Sequence, residues 1–436
     1  MDARPVKIFS SADTPRLRFV TGLLLGEILG LNWEIVTDRR RLGKCPVINY
    51  SGKNLSDSFV VTPSAILFEE DVHEQELNIS EWKGLPVMFR SEEVADFPFD
   101  IFAASFYLVA RYEEYLVFKP DAYGRFRSSD SVACKHGFLG KPVVDLWVKE
   151  LAKSLVRRFP SLTFRKNVFS AVVTIDIDEP FAFLGKDLIG NLGGFLHDFT
   201  SGSKNAGLRY DCLKGSHTDP FSEAFDYILN ECSRLEIATK FFFPVGNRSD
   251  YDKNPSWKNR MYREMINKTL ERFSAGLHPS YKAGHELRSL RTEAGRLRAV
   301  TGKECLFSRF HYLRFMMPLS FRNLIENNIM EDYSMGYSDE PGFRAGIARP
   351  FWYFDISGNR ITNLRIFPFQ VMDVMMKDNK KLSPAAGVKV ISEMISQTKK
   401  VGGLFISIWH NTSLLDTEEC SEWREVFKNM LNQQAV

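Results

Sequence analysis

Apolar residues in the second half of the chain follow two alternating patterns, which predict its architecture. Beyond residue 165, runs rich in β-branched and aromatic residues predict strands at 169–175, 239–245, 274–278, 305–311, 331–337, 363–370 and 403–410. Segments with helical spacing separate most of these runs, at about 220–236, 255–273, 284–300, 316–328 and 384–401. Because strands that alternate with helices form parallel sheets covered by helices, we predict an α/β fold, a distorted (β/α) barrel of about seven strands.

The first 165 residues follow a less regular pattern. Helical spacing predicts helices over 15–31, about 98–116 and 145–159, with short strand-like runs between the first two. A chain of 436 residues exceeds the usual size of one hydrophobic core, and Pro160 with Ser161 marks a break between the two patterns. We therefore predict a smaller α/β domain of unknown function at 1–165 and the barrel domain at 166–436.

Composition and charge restrict the classes of binding partner and the cell compartment that we expect for this protein. The 57 basic and 54 acidic residues leave a net charge of only +3, which gives no electrostatic case for nucleic acid or an anionic membrane. The most apolar segment, 19–31, contains Glu27 and is too short to span a bilayer. No signal peptide is visible, and the six cysteines are scattered. We expect a cytoplasmic protein with free thiols, while the sequence does not indicate an oligomeric state.

Two acids follow the first predicted strand of the barrel. The apolar run 171–175 leads directly into Asp176, and Asp178 lies two residues further on. Residues two apart on a strand share a face, and α/β folds bind their ligands at the carboxyl ends of strands. Two carboxylates so close repel each other, so a metal ion or a shared proton is expected between them. The alternative is a pair of aspartates that caps the following loop.

Polar side chains also follow later predicted strands. They are His278, Arg309, His311, Asp332 and His410. Aspartate with histidine is the ligand set of a catalytic zinc or a similar divalent ion. We further consider Arg344, Trp352 and Trp409 as substrate-binding residues. Core packing explains Trp352 equally well, and a structural ion pair explains Arg344 equally well.

Several strings in the chain resemble a known family. They are GLHPSY at 276–281, RFHYLR at 309–314, EDYSMGY at 331–337, PGFRAG at 341–346 and WHN at 409–411. With Thr174 to Asp178, they make residues 168–436 similar to the NodB-like polysaccharide deacetylases, metal-dependent carbohydrate esterases with a distorted (β/α) barrel. The resemblance is to a bacterial branch that carries an N-terminal domain of unassigned function.

The resemblance implies a role for each matching residue. It implies that Asp176 is the catalytic base, oriented by Arg309, and that His410 protonates the departing sugar amine. Asp332 matches the acid of the fourth motif. Asp178 and His278 match metal ligands. The implied reaction removes N- or O-acetyl groups from a carbohydrate with the help of a divalent metal, for which zinc is the expectation.

The chain departs from the family pattern at two places. Ile177 separates two aspartates that are adjacent in the family, and Lys282 stands where the family has a second histidine. We predict that His311 replaces that ligand and that His285 is a surface residue. Alternatively, the Lys282 ammonium neutralises the acids, and the chain is a non-catalytic carbohydrate-binding relative. A third hypothesis is a metal-independent hydrolase whose three aspartates, at 176, 178 and 332, act as acid and base.

Overall fold

A computed structural model describes residues 4–91, 95–185 and 205–434. The chain begins with a parallel sheet of four strands in the order β2-β1-β3-β4. These strands are β1 (Val6–Ser10), β2 (Trp33–Val36), β3 (Val47–Tyr50) and β4 (Phe59–Val60). Helix α1 (Pro15–Thr21) lies between β1 and β2. Thr14 caps its N-terminus, because the Thr14 side chain accepts a hydrogen bond from the Leu17 amide. Helix α1 continues as a π-helix (Gly22–Ile28), so the helix predicted over 15–31 is present with a change of geometry.

Among the described residues before 165, the remaining strands and α-helices are two short strands and three helices. They are β5 (Ser80–Trp82), β6 (Leu85–Val87), α2 (Ile101–Val109), α3 (Val132–Lys135) and α4 (Val143–Arg158). Helix α2 ends before the predicted residue 116, because Arg111 adopts a positive φ of 55° and the chain continues as a 3-10 turn (Tyr112–Tyr115). Every residue of α2 is buried, so this helix lies within the core of the protein.

The second half of the chain contains a sheet of nine strands and seven helices in the residues that the structure describes. The strands are β7 (Ser170–Asp176), β8 (Thr239–Phe243), β9 (Ser274–Leu277), β10 (Phe307–Ser308), β11 (Glu331–Asp332), β12 (Phe351–Asp355), β13 (Arg360–Ile366), β14 (Val371–Met372) and β15 (Leu404–His410). The helices are α5 (Asn205–Lys214), α6 (Pro220–Arg234), α7 (Arg260–Leu270), α8 (Leu287–Thr301), α9 (Leu319–Glu326), α10 (Pro384–Val401) and α11 (Glu418–Gln434).

The order of the large sheet is β12-β13-β11-β10-β9-β8-β7-β15-β14. All its pairs are parallel except β12 with β13, so the predicted α/β class is confirmed. The sheet does not form a clear version of the predicted distorted barrel, because no pairing between described residues joins the edge strands β12 and β14. Strands β12 and β14 were not predicted, and β10 and β11 are only two residues long.

The parallel strands bring their carboxyl ends to one edge of the sheet. Asp176 at the end of β7 is in register with His410 at the end of β15 and with Phe242 of β8. The hydrophobic core of the sheet continues into the first half of the chain, where the rings of Phe19 and Phe106 pack 5.1 and 5.3 Å from that of Phe354. The residues before 165 therefore pack directly against the sheet that carries the polar strand ends.

No helix among the described residues combines the length and the apolar composition needed to cross a lipid bilayer.

Candidate metal and active site

The carboxyl ends of β7 and β9 bring two acids and a histidine together. His278, the residue after β9, places Nε2 2.9 Å from Oδ1 of Asp178 and 3.9 Å from Oδ2 of Asp176. The Nδ1 of His278 lies 2.5 Å from the Arg309 carbonyl oxygen. A carbonyl oxygen only accepts hydrogen bonds, so Nδ1 carries a proton and Nε2 is the ring atom that faces Asp178.

This contact is unfavourable without a positive charge between the two atoms. Neither Nε2 of His278 nor Oδ1 of Asp178 has a hydrogen-bond partner among the described residues, although both atoms are buried. Two lone pairs that face each other at 2.9 Å repel, and a proton or a metal ion relieves the repulsion. The pair is therefore suited to hold a cation.

His311 completes the same cluster from another direction. Its Nε2 lies 3.4 Å from Oδ2 of Asp178, and its Nδ1 lies 3.0 Å from Oδ1 of the buried Asp252. A carboxylate behind Nδ1 fixes the ring orientation and makes Nε2 a better ligand. Burial lowers the pKa of His311, but Asp178 and Asp252 outweigh burial and raise this pKa to about 10.

Asp178, His278 and His311 each offer one ligand atom within 4.8 Å of the others. Burial would raise the pKa of Asp178, but His311 and His278 hold this pKa well below its usual value, so the carboxylate is ionised. Two imidazole nitrogens and one carboxylate oxygen form the protein ligand set of catalytic zinc sites, which leave a further position for water or substrate. The residues present therefore fit a divalent metal ion, as the sequence predicted.

The backbone conformation at His311 differs from the strand that we predicted. The strand predicted over 305–311 ends at Ser308, and His311 begins a 3-10 turn (His311–Leu313). Tyr312 and Leu313 in this turn have φ values of 58° and 52°. His311 therefore lies in a turn with two left-handed residues and not on the predicted strand.

Asp176 lies beside the metal cluster and is held by an arginine. Nη1 of the fully buried Arg309 is 3.4 Å from Oδ1 of Asp176. Nε of Arg309 donates to the Tyr333 carbonyl at 3.1 Å, which fixes the guanidinium. The buried guanidinium therefore holds the Asp176 carboxylate in place beside the metal cluster.

His410 faces both acids from the end of β15. Its Nε2 lies 4.0 Å from Oδ2 of Asp176 and 3.7 Å from Oδ2 of Asp178. Behind the ring, Asp373 accepts from Nδ1 at 2.8 Å and from the His410 amide at 2.7 Å. Burial lowers the pKa of His410, but Asp373, Asp178 and Asp176 together raise this pKa to about 10, so the ring is an imidazolium near neutral pH.

These side chains open into a cleft of about 320 Å³, a volume at the lower end of the range for small-ligand sites. Its walls include Phe310, Tyr312 and Met372, and also Tyr123 and Arg125 from the first part of the chain. Tyr251 and Tyr281 stack 3.9 Å apart and both contact the Tyr312 ring, so an aromatic cluster supports the Tyr312 wall of the cleft.

Four predicted site residues lie elsewhere. Trp409 is buried against Phe427 of α11. The Arg344 guanidinium binds Glu114 with two hydrogen bonds of 2.9 and 2.6 Å, so Arg344 forms the structural ion pair. Trp352 is 39% exposed, outside the cleft lining, with the Arg365 guanidinium over its ring. The buried carboxylate of Asp332 accepts hydrogen bonds from Ser308 and Ser334 and does not line the cleft.

Lys282 does not neutralise the acids. Its side chain is 75% exposed and lies 3.3 Å from Glu286, outside the cleft lining. Neutralisation by Lys282 is therefore wrong, whereas the non-catalytic relative stays a hypothesis. His285 is half-buried and not part of the metal cluster, so it is not the surface residue that we predicted.

Sequence reasoning missed the two carboxylates that hold the histidines. Asp252 lies in a polar stretch with several candidate acids, and nothing in the pattern singles it out. Asp373 follows β14, a strand of two residues, and the rule that ligands collect at strand ends would have found it if this strand had been recognised.

Comparison with known proteins finds one family model that matches the first part of the chain and several distantly similar solved structures. A family model described as "Family of unknown function (DUF7033)" matches residues 6–160. No curated protein sequence matches the chain. A candidate polysaccharide deacetylase from Mycobacterium smegmatis is similar at 13% identity and a TM-score of 0.41, over 62% of this chain and 86% of that one.

Two further solved structures are similar over the same share of this chain. For a polysaccharide deacetylase from Bacillus cereus, the identity is 9% and the TM-score 0.31, over 62% of this chain and 87% of that one. For a CE4 family pseudoenzyme from Bacillus anthracis, the identity is 9% and the TM-score 0.32, over 62% of each chain. These values are too low for the likeness to carry an argument about function.

Proposed function

We propose that the chain is a metal-dependent hydrolase that removes acetyl groups from a carbohydrate. The observation that carries the proposal is the convergence of Asp178, His278 and His311 within 4.8 Å, next to an acid and an imidazolium that are not needed as ligands. Such a set combines a cation site with a base and an acid, which is what hydrolysis of an acyl bond requires. The motifs that resemble the NodB-like family contain the same residues.

A divalent ion bound to Asp178, His278 and His311 would polarise a carbonyl oxygen and acidify water. The carboxylate of Asp176, oriented by Arg309, accepts a proton from the attacking water. His410 holds a proton at Nε2, and Asp373 keeps this ring charged and oriented. The imidazolium therefore donates the proton that the departing amine or alcohol takes up.

The carbohydrate part of the proposal rests on the shape and lining of the cleft. A volume of about 320 Å³ suits one sugar ring with its acetyl group. Tyr123 and Tyr312 in the cleft lining offer apolar faces with polar hydroxyl tips. We propose zinc as the metal, because two imidazoles with one carboxylate suit its coordination.

The test is acetyl release by the full chain. Purified protein is loaded with Zn²⁺ and incubated with N-acetylated and O-acetylated sugars, and both free acetate and free amine are measured. We expect acetate release that a chelator abolishes. The variants Asp176→Asn and His410→Gln should each lower the rate about 100-fold or more, whereas His285→Ala should retain it.

Two results would reject the proposal. One is the absence of acetate above the chelated sample across the panel. The other is acetate release that Asp176→Asn leaves unchanged, because the reaction would then not use this site.

A further inference from the structure

The part of the chain matched by the family of unknown function reaches the candidate site. Tyr123 and Arg125 lie within the matched residues 6–160 and line the cleft beside the metal cluster. They belong to a short segment, residues 121–125, which we call the 121–125 turn.

The carboxylate of Asp121 organises this turn. Oδ1 of Asp121 accepts the amides of Tyr123 and Arg125, both at 2.9 Å, and Oδ2 accepts Nε of Arg125 at 2.7 Å. Gly124 has a φ of 82°, which favours glycine because it lacks a Cβ. These hydrogen bonds within the turn set the direction of the Arg125 guanidinium independently of its contacts outside the turn.

Three contacts connect the 121–125 turn to the segment that follows His311. Nη1 of Arg125 donates to the Tyr312 carbonyl at 2.7 Å. The rings of Tyr123 and Tyr312 stack with centroids 5.1 Å apart and an interplanar angle of 27°. Nε of Arg314 donates to the Tyr123 carbonyl at 3.2 Å. All three contacts act on residues 312–314.

That segment has a conformation that needs support. Tyr312 and Leu313 both have φ values above 50°, and the left-handed region is unfavourable for a non-glycine residue. Such residues persist only where their surroundings hold them. His311 and Tyr312 are consecutive, so a change in the backbone of Tyr312 would also move the backbone that carries His311.

We propose that the 121–125 turn is a positioning element of the metal site. By holding the Tyr312 carbonyl and ring, Arg125 and Tyr123 keep His311 directed at Asp178. The region with no assigned function thus completes a site whose candidate ligands all come from the other half of the chain. This inference rests on the proposed metal site.

The test uses Co²⁺, whose visible absorption reports both binding and ligand geometry. The full-length variants are Arg125→Ala and Arg125→Lys. Arg127→Ala is the matched control, because Arg127 lies two residues away, pairs with Asp130 and does not line the cleft. We expect Arg125→Ala to weaken Co²⁺ binding about 10- to 100-fold, as is usual when a residue behind a ligand is lost, and to change the spectrum.

Conservative variants separate positioning from general instability. Arg125→Lys should restore part of the affinity, because an ammonium can still donate to the Tyr312 carbonyl. Tyr123→Phe should match wild type, because it keeps the stacked ring, whereas Tyr123→Ala should weaken binding. Thermal unfolding of each variant shows whether it is folded at the titration temperature.

The outcomes distinguish this inference from the metal site on which it rests. If wild-type protein binds no Co²⁺, the metal site and this inference are both rejected. If wild type binds Co²⁺ and Arg125→Ala has the same affinity and spectrum, only this inference is rejected. Equal losses in Arg125→Ala and Arg127→Ala would also reject it, because the effect would then not pass through Tyr312.

Discussion

Replacement of Asp252 by asparagine probes the support behind a metal ligand without removing the ligand. Asp252 is 2% exposed, and its Oδ1 accepts from Nδ1 of His311 and from the Tyr281 amide, each at 3.0 Å. Its Oδ2 accepts the Ser249 hydroxyl at 2.7 Å. Asparagine keeps the shape of the side chain and one acceptor oxygen for His311 and Tyr281, so the fold should be retained.

The substitution removes the negative charge that makes His311 a good ligand. Loss of such a partner lowers metal affinity about 10- to 100-fold, which corresponds to about 1.4 to 2.7 kcal/mol of binding free energy. Zn²⁺ affinity is measured by competition with a chromophoric chelator. Asp250→Asn is the control, because Asp250 is exposed in the same loop. An affinity within about twofold of wild type, a difference of only about 0.4 kcal/mol, would refute the role of Asp252.

Three further predictions test individual contacts. Burial raises the pKa of Glu293 from 4.5 to about 7, so the folded state binds this proton more tightly and stability falls as the pH rises through that range. The free energy of unfolding of Glu293→Gln should therefore exceed that of wild type by roughly 3 kcal/mol at about pH 8 and by little at about pH 4. Urea unfolding at the two pH values measures this difference. Arg344→Ala should cost about 3 kcal/mol of stability by leaving the Glu114 carboxylate buried with fewer partners; unchanged stability with a raised KM would contradict this. His311→Ala should lower metal affinity about 10- to 100-fold or more and His285→Ala should not, and equal effects would reject the distinction.

The strand ends of the site follow from local patterns. Apolar runs that end in Asp176 and His410 could be recognised in the sequence, and parallel strands necessarily bring these ends to one edge. The structure places the two in register. The strand and helix alternation likewise predicted the α/β class, although it did not predict that the sheet has distinct edge strands.

The rest of the site depends on contacts between residues distant in sequence. Arg344 and Glu114 are separated by 230 positions, and no local pattern indicates that one buried charge will find the other. His311 lies in a turn in which Tyr312 and Leu313 take left-handed conformations, which are uncommon for such residues and invisible to strand periodicity. The approach of the 121–125 turn could not be predicted for the same reason.

X-ray diffraction from crystals grown with Zn²⁺ tests the central claim most directly. Data collected on both sides of the zinc absorption edge locate the ion by its anomalous signal. The account predicts one peak about 2.0 to 2.2 Å from Nε2 of His278, from Nε2 of His311 and from a carboxylate oxygen of Asp178, and its loss in His278→Ala. A peak on other residues, or none in wild-type crystals under saturating Zn²⁺, would contradict it.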